Sequence, residues 1–261
     1  MIHTYRQGGY NIALDVNSGA VHVLSDAAFE ILQNCTGDNL PETGNAEALS
    51  ELRALQEEGL LFSEDTDVDL DRVFPGNPPL KALCLHIAHD CNLRCKYCFA
   101  STGDFGTGRK IMPVEVAKRA IDFVISRSQN RRNIEIDFFG GEPLMGFDIV
   151  RETVAYAKEQ GALHGKNFRF TITTNGLGLN EDNMAYINRE MSNVVLSLDG
   201  REAVHDRMRK TISGEGSYRY IVPKFQALLK DRDPALDHYL RGTFTRDNLD
   251  FVEDVLHIKD L

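Results

Sequence analysis

The chain has 261 residues, which is enough for one large domain or two smaller ones. Its 42% hydrophobic and 26% charged residues are ordinary for a soluble globular protein, and no apolar run reaches the length of a membrane span. The formal net charge of -10 disfavours nucleic-acid binding, because a phosphate-binding surface needs a basic excess. The N-terminus lacks the apolar core of a signal peptide, so we expect a cytoplasmic protein that spans no membrane.

Residues 1–62 are predicted to form a small α+β domain. Tyr10–Asp15 alternates apolar and polar residues, turn residues follow, and the apolar pattern returns over residues 20–24, which predicts a β-hairpin. Ser25 is a candidate N-cap for a short helix, and a second helical pattern ends at Gly59. The apolar positions of these two helices are Phe29, Leu32, Leu49, Leu52 and Leu55.

Residues 63–79 are predicted to be a linker. They contain five acidic residues and three prolines, a composition that disfavours a continuous helix or strand.

Residues 80–261 alternate between strand and helix patterns. The predicted strands are residues 82–87, 134–139, 168–173, 194–198 and 238–244. Pro113, Asn180 and Ser217 are predicted to begin three of the helices. Apolar faces are predicted at Val116, Ala117, Ala120, Ile121 and Val124 of the first helix, and at Leu249, Val252 and Leu256 of the last. Repeated β-α units imply right-handed crossovers and a parallel sheet, so an α/β fold is expected, open or closing as a barrel.

Three of the five cysteines follow the first predicted strand of this domain. Cys91, Cys95 and Cys98 lie within eight residues, with the aromatic Tyr97 before the last of them. Three thiolates at this spacing can bind three irons of a [4Fe-4S] cluster and leave the fourth iron open for a chelating ligand. Because a cluster with four cysteine ligands mainly transfers electrons, the open iron indicates a chemical role.

Two other interpretations of these cysteines stay open. A zinc site would use the same sulfurs with His86 or His89, although structural zinc sites usually combine ligand pairs from separated segments. A disulfide framework is disfavoured, because nothing indicates an oxidising compartment. Cys35 and Cys84 lie among apolar residues and are predicted to be packed thiols.

Polar residues follow the first four predicted strands. After the cysteine loop come Gly140-Gly141-Glu142, residues 173–176 and residues 197–200, and the fifth strand carries Arg241. The carboxyl ends of parallel strands meet at one edge of a β/α fold, so these segments are expected to form one site. Ordinary strand-end capping is the alternative for each segment taken alone.

A dense polar loop over residues 199–210 is expected at the same edge. His205, Asp206 and Arg209 are candidates for positioning a substrate there, and His205 and Asp206 are the candidate catalytic residues. A solvated surface loop is the alternative.

The cysteine spacing, with Gly-Gly-Glu directly after residues 136–139, resembles the radical S-adenosylmethionine (SAM) superfamily. The resemblance implies a partial (β/α) barrel and a [4Fe-4S] cluster bound by Cys91, Cys95 and Cys98. It implies that SAM chelates the open iron through its amine and carboxylate. It also implies a reductant, such as ferredoxin or flavodoxin, and cleavage of SAM to methionine and a 5′-deoxyadenosyl radical.

The resemblance places SAM at the strand ends. Glu142 is expected to accept a hydrogen bond from the SAM amine, while Gly140 and Gly141 let the backbone approach the ligand. Expected contacts are the adenine for Tyr97, the ribose for Asn175 and Asp199, and the carboxylate for Ser197 or Arg241. The full set of expected cofactor-binding residues is Tyr97, Gly140, Gly141, Glu142, Thr174, Asn175, Ser197, Asp199 and Arg241.

Residues 10–22, joined to the cysteine loop and residues 139–144, resemble maturases of ribosomally made cysteine-rich peptides. The most similar group is the thioether-forming enzymes that act on six-cysteines-in-forty-five-residues peptides. The resemblance implies that residues 1–62 form a winged-helix-like element that adds the precursor's leader to an edge strand. It also implies hydrogen abstraction from the peptide, followed by a bond between a peptide cysteine sulfur and the resulting carbon. For residues 1–62, a cap over the catalytic domain is the alternative.

The chain departs from these maturases in two respects. They have a six-stranded partial barrel and a C-terminal cysteine-rich extension for auxiliary clusters, whereas this sequence has no cysteine after Cys98. A barrel shortened after the fifth β/α unit is therefore expected. Alternatives are another radical SAM maturase, such as an anaerobic sulfatase-maturating enzyme, a non-catalytic leader-binding protein, and a zinc-binding structural protein.

Overall fold

A computed structural model describes residues 1–65, Val73 and residues 76–261. The chain divides into two compact units, Met1–Asn77 and Pro78–Leu261, called unit 1 and unit 2. Residues 66–72 and 74–75 of the predicted linker lie outside the described residues.

Unit 1 contains a three-stranded antiparallel sheet and two helices. Its elements are β1 (Ile2–Gln7), β2 (Tyr10–Asp15), β3 (Val21–Leu24), α1 (Asp26–Asn34) and α2 (Ala46–Glu57). The strand order is β1-β2-β3, so the predicted hairpin is β2–β3. β1 is not among the predicted elements, although the Gly8-Gly9 turn that leads into β2 is a hairpin signal.

Hydrogen bonds at two chain reversals stabilise unit 1. The Ser25 hydroxyl caps α1 by accepting from the Ala28 amide at 3.2 Å, as the sequence predicts. Asp15 is fully buried and accepts from the amides of Asn17 and Ser18 and from both the amide and the hydroxyl of Ser63. This carboxylate ties the β2–β3 turn to the segment after α2. The core around it consists of Ala13, Leu24, Ala28, Phe29, Leu32, Ala48, Leu52 and Leu61.

Unit 2 is built on a mostly parallel six-stranded sheet. Its strands are β4 (Ala82–His89), β6 (Lys110–Ile111), β7 (Asn133–Gly140), β8 (Asn167–Thr174), β9 (Asn193–Ser197) and β11 (Asp237–Arg241). The order is β11-β9-β8-β7-β4-β6, in which only the short β6 is antiparallel to its neighbour. The five parallel strands follow chain order in space, so the predicted α/β partial-barrel fold is confirmed.

Helices connect the strands of this sheet, and several of them pack against its apolar face. They are α3 (Val114–Arg127), α4 (Phe147–His164), α5 (Glu181–Glu190), α6 (Glu202–Met208), α7 (Tyr218–Lys230) and α8 (Phe251–Asp260). In β7, Ile134, Ile136 and Phe138 are fully buried, because alternate side chains of a strand point to the same face. Within the described ranges, no helix is long and apolar enough to cross a bilayer.

Some predicted details of unit 2 are wrong. Val116 is exposed, because the buried face of α3 is set by Ala117, Ile121 and Val124 at helical spacing. Leu249, Val252 and Leu256 are exposed as well. The buried position of α8 is Asp254, which an ion pair with Arg201 and a hydrogen bond from Asn248 draw inward.

The fifth parallel strand ends earlier than predicted. It stops at Arg241, because the Thr243 amide donates to the Asp199 side chain at 2.9 Å instead of continuing the ladder. Two elements absent from the prediction, α6 and β10 (Arg209–Thr211), fill the segment after β9. β10 pairs antiparallel with β5 (Leu93–Cys95), which brings this segment to the cysteine loop.

Candidate active site

A pocket opens where the carboxyl ends of β4, β7, β8 and β9 meet. Most of the predicted site residues line it, namely Cys91, Cys95, Tyr97, Cys98, Gly140, Gly141, Glu142, Thr174, Asn175, Ser197 and Arg241. Three predicted residues, Asp199, His205 and Asp206, are not among the lining residues. The convergence of separate strand ends on one pocket is the geometry expected of a β/α active site.

Strand pairing and hydrogen bonds position the cysteine loop. Cys95 lies opposite Arg209 in the β5–β10 pair. Cys91 is the most buried of the three thiols, and its sulfur accepts hydrogen bonds from the Leu93 amide at 3.4 Å and from Asn175 Nδ2 at 3.5 Å. Donors to a ligating sulfur are one means by which a protein tunes an iron–sulfur cluster.

The surroundings of these thiols suit ligands of an iron–sulfur cluster better than they suit free cysteines. Burial, with a contribution from Glu142, raises the pKa of Cys91 to about 12, and burial also raises the pKa of Cys95. Both thiols are therefore protonated at neutral pH until a metal binds, since coordination deprotonates a thiol and supplies the compensating positive charge. Three soft thiolates on one pocket wall are the ligands that iron–sulfur clusters use.

The histidines considered as fourth zinc ligands are engaged elsewhere. The Phe105 ring lies 4.7 Å from the His86 ring and 4.8 Å from the His89 ring, and His89 Nδ1 lies 2.8 Å from Thr107 Oγ1. Neither histidine lines the pocket. Among the side chains that the structure describes, no three His, Cys, Asp or Glu residues are grouped to hold one metal ion.

Glu142 joins the ends of β7 and β8. Its buried carboxylate accepts from Thr174 Oγ1 at 2.7 Å, the Asn175 amide at 2.8 Å and the Leu144 amide at 3.1 Å. Burial raises its pKa to about 7, against the lowering effect of these hydrogen bonds. A carboxylate has about four acceptor positions, so one remains for a donor in the pocket.

Gly140 and Gly141 permit close approach within the chain itself. A Cβ on Gly140, which has φ +118°, would lie 2.5 Å from the Ala88 carbonyl oxygen, and a Cβ on Gly141 would lie 2.1 Å from that of Asp90. The two glycines thus let the end of β7 pack against β4 and the cysteine loop, in addition to lining the pocket.

Asp199 lies in a buried network behind the pocket. Its carboxylate accepts from the Tyr97 hydroxyl at 2.5 Å, from Arg209 Nη2 at 2.9 Å and from the Thr243 amide. Burial raises the pKa of Tyr97, so its hydroxyl stays protonated as a donor. These contacts hold the cysteine loop against the end of β9.

His205 is buried in a second polar group. Its Nδ1 accepts from the Asp199 amide at 3.3 Å, and its Nε2 lies 2.9 Å from Ser217 Oγ, which donates to the Arg209 carbonyl at 2.7 Å. Burial, with the nearby Arg209 charge, lowers the pKa of His205 to about 4. The imidazole is therefore neutral at pH 7 and donates through Nε2.

Asp206 completes this group, which we call the His205 cluster (His205, Asp206 and Ser217). Its carboxylate accepts from the Tyr218 amide at 2.8 Å and so caps α7, whereas the Ser217 hydroxyl at the N-cap position makes no capping bond. The His205 cluster connects α6, β10 and α7 and does not line the pocket.

Several residues in or beside the pocket are absent from the predicted cofactor set. Arg209 lines the pocket at 8% exposure, and its Nε has no hydrogen-bond partner among the described residues. Asn92 Oδ1 accepts from Asn175 Nδ2 at 2.8 Å, and Phe99 lines the pocket while remaining 78% exposed. The β5–β10 pairing, which has no signal in the sequence, places Arg209 opposite Cys95.

A partial β/α barrel with a three-cysteine loop at its carboxyl edge defines the class: an α/β protein built to bind an open iron–sulfur cluster. Comparison with known families gives the same answer. The radical SAM superfamily matches residues 85–223, which is more than half of the chain. The chain therefore belongs to the radical SAM superfamily of enzymes, which use a [4Fe-4S] cluster and SAM.

The curated relatives include maturase-type enzymes. A cysteine-type anaerobic sulfatase-maturating enzyme of Clostridium novyi is 31% identical over 153 residues, covering 57% of this chain and 40% of the relative. The radical SAM cyclopropyl synthase TigE of Paramaledivibacter caminithermalis is 27% identical over 187 residues, covering 67% of this chain and 38% of the relative. This chain thus spans about two-fifths of the length of each.

Solved structures share the fold. Native anSMEcpe with bound AdoMet and the Cp18Cys peptide has a TM-score of 0.60 at 21% identity and covers 70% of this chain and 48% of its own. Native anSMEcpe with bound AdoMet and the Kp18Cys peptide has a TM-score of 0.61 at 22% identity and covers 70% and 49%.

Proposed function

We propose that this protein is a radical SAM enzyme that modifies a ribosomally synthesised, cysteine-rich peptide. The observation that carries the proposal is the convergence of three thiols, Glu142 and Asn175 on one pocket at the carboxyl edge of a parallel sheet. In this proposal a thioether crosslink would form between a cysteine sulfur and a carbon of the peptide. The carbon would lose one hydrogen atom to the 5′-deoxyadenosyl radical, the thiol would lose its proton, and the remaining electron would pass to the cluster. A precursor peptide and a cytoplasmic reductant, such as ferredoxin or flavodoxin, are the proposed partners.

Cys91, Cys95 and Cys98 would hold the cluster. When bound, the cluster and SAM supply a 5′-deoxyadenosyl radical that abstracts a hydrogen atom from the peptide. The chain's own contribution is to hold the target carbon in place and to exclude water from the pocket, which is what an enzyme adds to cofactor chemistry.

The SAM contacts proposed here follow the free hydrogen-bonding capacity of the pocket. Glu142 keeps one acceptor position for the amine of the methionyl group. Arg209, with its unpartnered Nε, joins Ser197 and Arg241 as a candidate for the carboxylate, since a guanidinium is suited to carboxylate binding. Asp199 is proposed to hold the Tyr97 loop beside the adenine rather than to contact the ribose itself.

Unit 1 is proposed to bind the leader of the precursor peptide. β1 and β3 are the two edges of its sheet, and an edge strand offers unpaired backbone groups to an added strand. On β3, Val21 is 61% and Val23 is 63% exposed, which leaves apolar side chains next to one free edge.

A second candidate function is that of an anaerobic sulfatase-maturating enzyme, in which the substrate is a protein residue rather than a cysteine-rich peptide. The 31% identity to the Clostridium novyi enzyme favours it. The two candidates share the pocket and the initial chemistry and differ in the peptide that they accept.

Anaerobic reconstitution tests the shared chemistry. We expect about four irons and four sulfides per chain, and formation of 5′-deoxyadenosine when dithionite and SAM are added. Zinc binding without iron–sulfur absorption would overturn the enzyme proposal. A cluster that does not cleave SAM would also overturn it and would favour a non-catalytic peptide-binding protein.

Leader recognition has its own test. A labelled cysteine-rich precursor peptide is expected to bind the full chain and to lose binding when residues 1–62 are deleted. Equal affinity for both forms would remove the leader-binding role from unit 1.

A further inference from the structure

A cluster of aromatic rings, which we call the aromatic wall, borders the pocket through two of its members, Phe99 and Phe139. The others, Phe105, His86 and His89, pack behind them and do not line the pocket. The Phe105 ring is at the centre of the cluster, 4.7 Å from His86, 4.8 Å from His89 and 5.9 Å from Phe99. The His86 ring lies 5.8 Å from Phe139 and 5.8 Å from His89.

The backbone that carries Phe105 is strained. Six of the eight residues from 101 to 108 have positive φ, and three of these are not glycine: Ser101 (+49°), Thr102 (+67°) and Phe105 (+53°). Residues with side chains adopt this conformation rarely and keep it only where the surroundings impose it, which occurs often at functional sites. Here the Phe105 amide donates to the Ala100 carbonyl at 2.9 Å, and the turn brings the Phe105 ring into edge contact with Phe99.

Phe99 is the exposed member of the wall. It is 78% exposed although it directly follows the predicted ligand Cys98, lines the pocket and packs edge-on against Phe105 at 74°. A phenyl ring held open to solvent at a pocket gains stability when an apolar group covers it. The two wall members that line the pocket, Phe99 and Phe139, present only carbon surface to it, so they match an apolar ligand and not the charged methionyl end of SAM.

We propose that the aromatic wall, through Phe99, binds an apolar or aromatic side chain of the peptide substrate next to the residue that reacts. The inference rests on the proposed function and deepens it, because it names Phe99 as a residue that determines which peptide sequences are accepted. Binding of one side chain at this wall fixes the register of the extended peptide across the pocket. The polar edge formed by Glu142 and Arg209 is left to the cofactor.

The test measures peptide affinity with the reconstituted, SAM-bound full chain under anaerobic conditions. The probes are four twelve-residue Gly/Ser peptides with Phe, Leu, Ser or Asp at the central position, titrated by calorimetry. The Phe and Leu peptides are expected to bind on the order of tenfold more tightly than the Ser and Asp peptides, as is typical for one apolar side chain in a pocket. Phe99→Ala is expected to abolish this preference, while Phe99→Leu keeps part of it.

Phe123→Ala is the matched control, because Phe123 is an exposed phenylalanine on α3 that does not line the pocket. It is expected to leave the preference unchanged. Iron content and SAM affinity, measured for each variant, separate peptide binding from damage to the site. Equal binding of all four peptides by the wild type, a preference that survives Phe99→Ala, or weaker SAM binding in Phe99→Ala would each overturn the inference.

The same samples distinguish this inference from the proposed function. Peptide preference without 5′-deoxyadenosine formation would support the wall and overturn the enzyme proposal. SAM cleavage without peptide preference would support the enzyme proposal and overturn the role of the aromatic wall.

Discussion

The pocket and the His205 cluster both contain buried polar side chains, and Arg209 of the pocket is close to His205 in sequence, yet the two differ in how their polar groups are satisfied. Around the pocket, Glu142 keeps an acceptor position and Arg209 keeps an unpartnered Nε. In the His205 cluster, both ring nitrogens of His205 and the Asp206 carboxylate are engaged by neighbouring backbone and hydroxyl groups.

This difference distinguishes a ligand-binding site from a hydrogen-bonded cluster that only stabilises the fold. A ligand needs donors and acceptors that the protein leaves unfilled, whereas a buried group that is fully hydrogen-bonded stabilises the elements that it connects. We therefore expect substitutions in the pocket to reduce cluster binding or SAM cleavage. We expect substitutions in the His205 cluster to reduce the free energy of unfolding. Four substitutions test that division.

Cys95→Ser is expected to have the largest effect. A serine oxygen is a poor replacement for a soft thiolate ligand, so 5′-deoxyadenosine formation should fall on the order of 1000-fold or more, equivalent to about 4 kcal/mol. The matched control is Cys35→Ser, which changes a half-buried cysteine of unit 1. A reconstituted Cys95→Ser protein with full cluster absorption and normal SAM cleavage would contradict the ligand assignment.

Gly141→Ala should disturb the packing of the end of β7 against the cysteine loop. The added Cβ would lie 2.1 Å from the Asp90 carbonyl oxygen, so β7 and the cysteine loop must move apart. We expect a loss of roughly 2–3 kcal/mol in the free energy of unfolding, together with reduced iron content. Gly165→Ala is the comparison, because it has φ +64° but nothing within 4 Å of its Cβ. Equal losses in both variants would mean that the contact with the cysteine loop is unimportant.

His205→Gln should change the pH dependence of stability. Burial lowers the pKa of His205 from 6.5 to about 4. The contribution of the neutral imidazole to the free energy of unfolding is therefore complete above pH 6.5 and is lost as the pH falls from 6.5 towards 4. The wild-type free energy of unfolding, measured on cluster-free protein by denaturant titration, should lose roughly 2–3 kcal/mol more over this range than that of His205→Gln.

The exposed His164 supplies the control for that measurement. His164→Gln should retain the wild-type slope against pH. If His205→Gln also retains it, the imidazole is not buried in its neutral form.

Asp206→Ala is expected to have the smallest effect. Loss of the cap on Tyr218 should cost about 1 kcal/mol of unfolding free energy, and Asp206→Asn, which keeps an acceptor, should recover most of it. SAM cleavage per bound cluster should stay within about twofold of the wild type, a difference of roughly 0.4 kcal/mol. A loss of SAM cleavage at normal cluster content would indicate that Asp206 takes part in the active site.

The candidate site could be predicted in part. Gly-Gly-Glu follows β7 and Thr174-Asn175 ends β8, so their strand positions alone bring them to one edge. The contacts that they make there were not predictable. The contact of Asn175 with the ribose stays a prediction, whereas the contacts of its Nδ2 with Cys91 and Asn92 depend on the cysteine loop lying against the end of β8.

By itself, the sequence determined the order of β/α units, the hairpin of unit 1 and the three-cysteine loop, because periodicity and residue spacing act over a few residues of chain. Tertiary structure alone decided that Arg209 borders the pocket while His205 and Asp206 do not. The reason is physical: Arg209 borders the pocket because β10 pairs with β5, which is more than 100 residues earlier in the sequence. Backbone groups of the same segment then take up the polar atoms of His205 and Asp206.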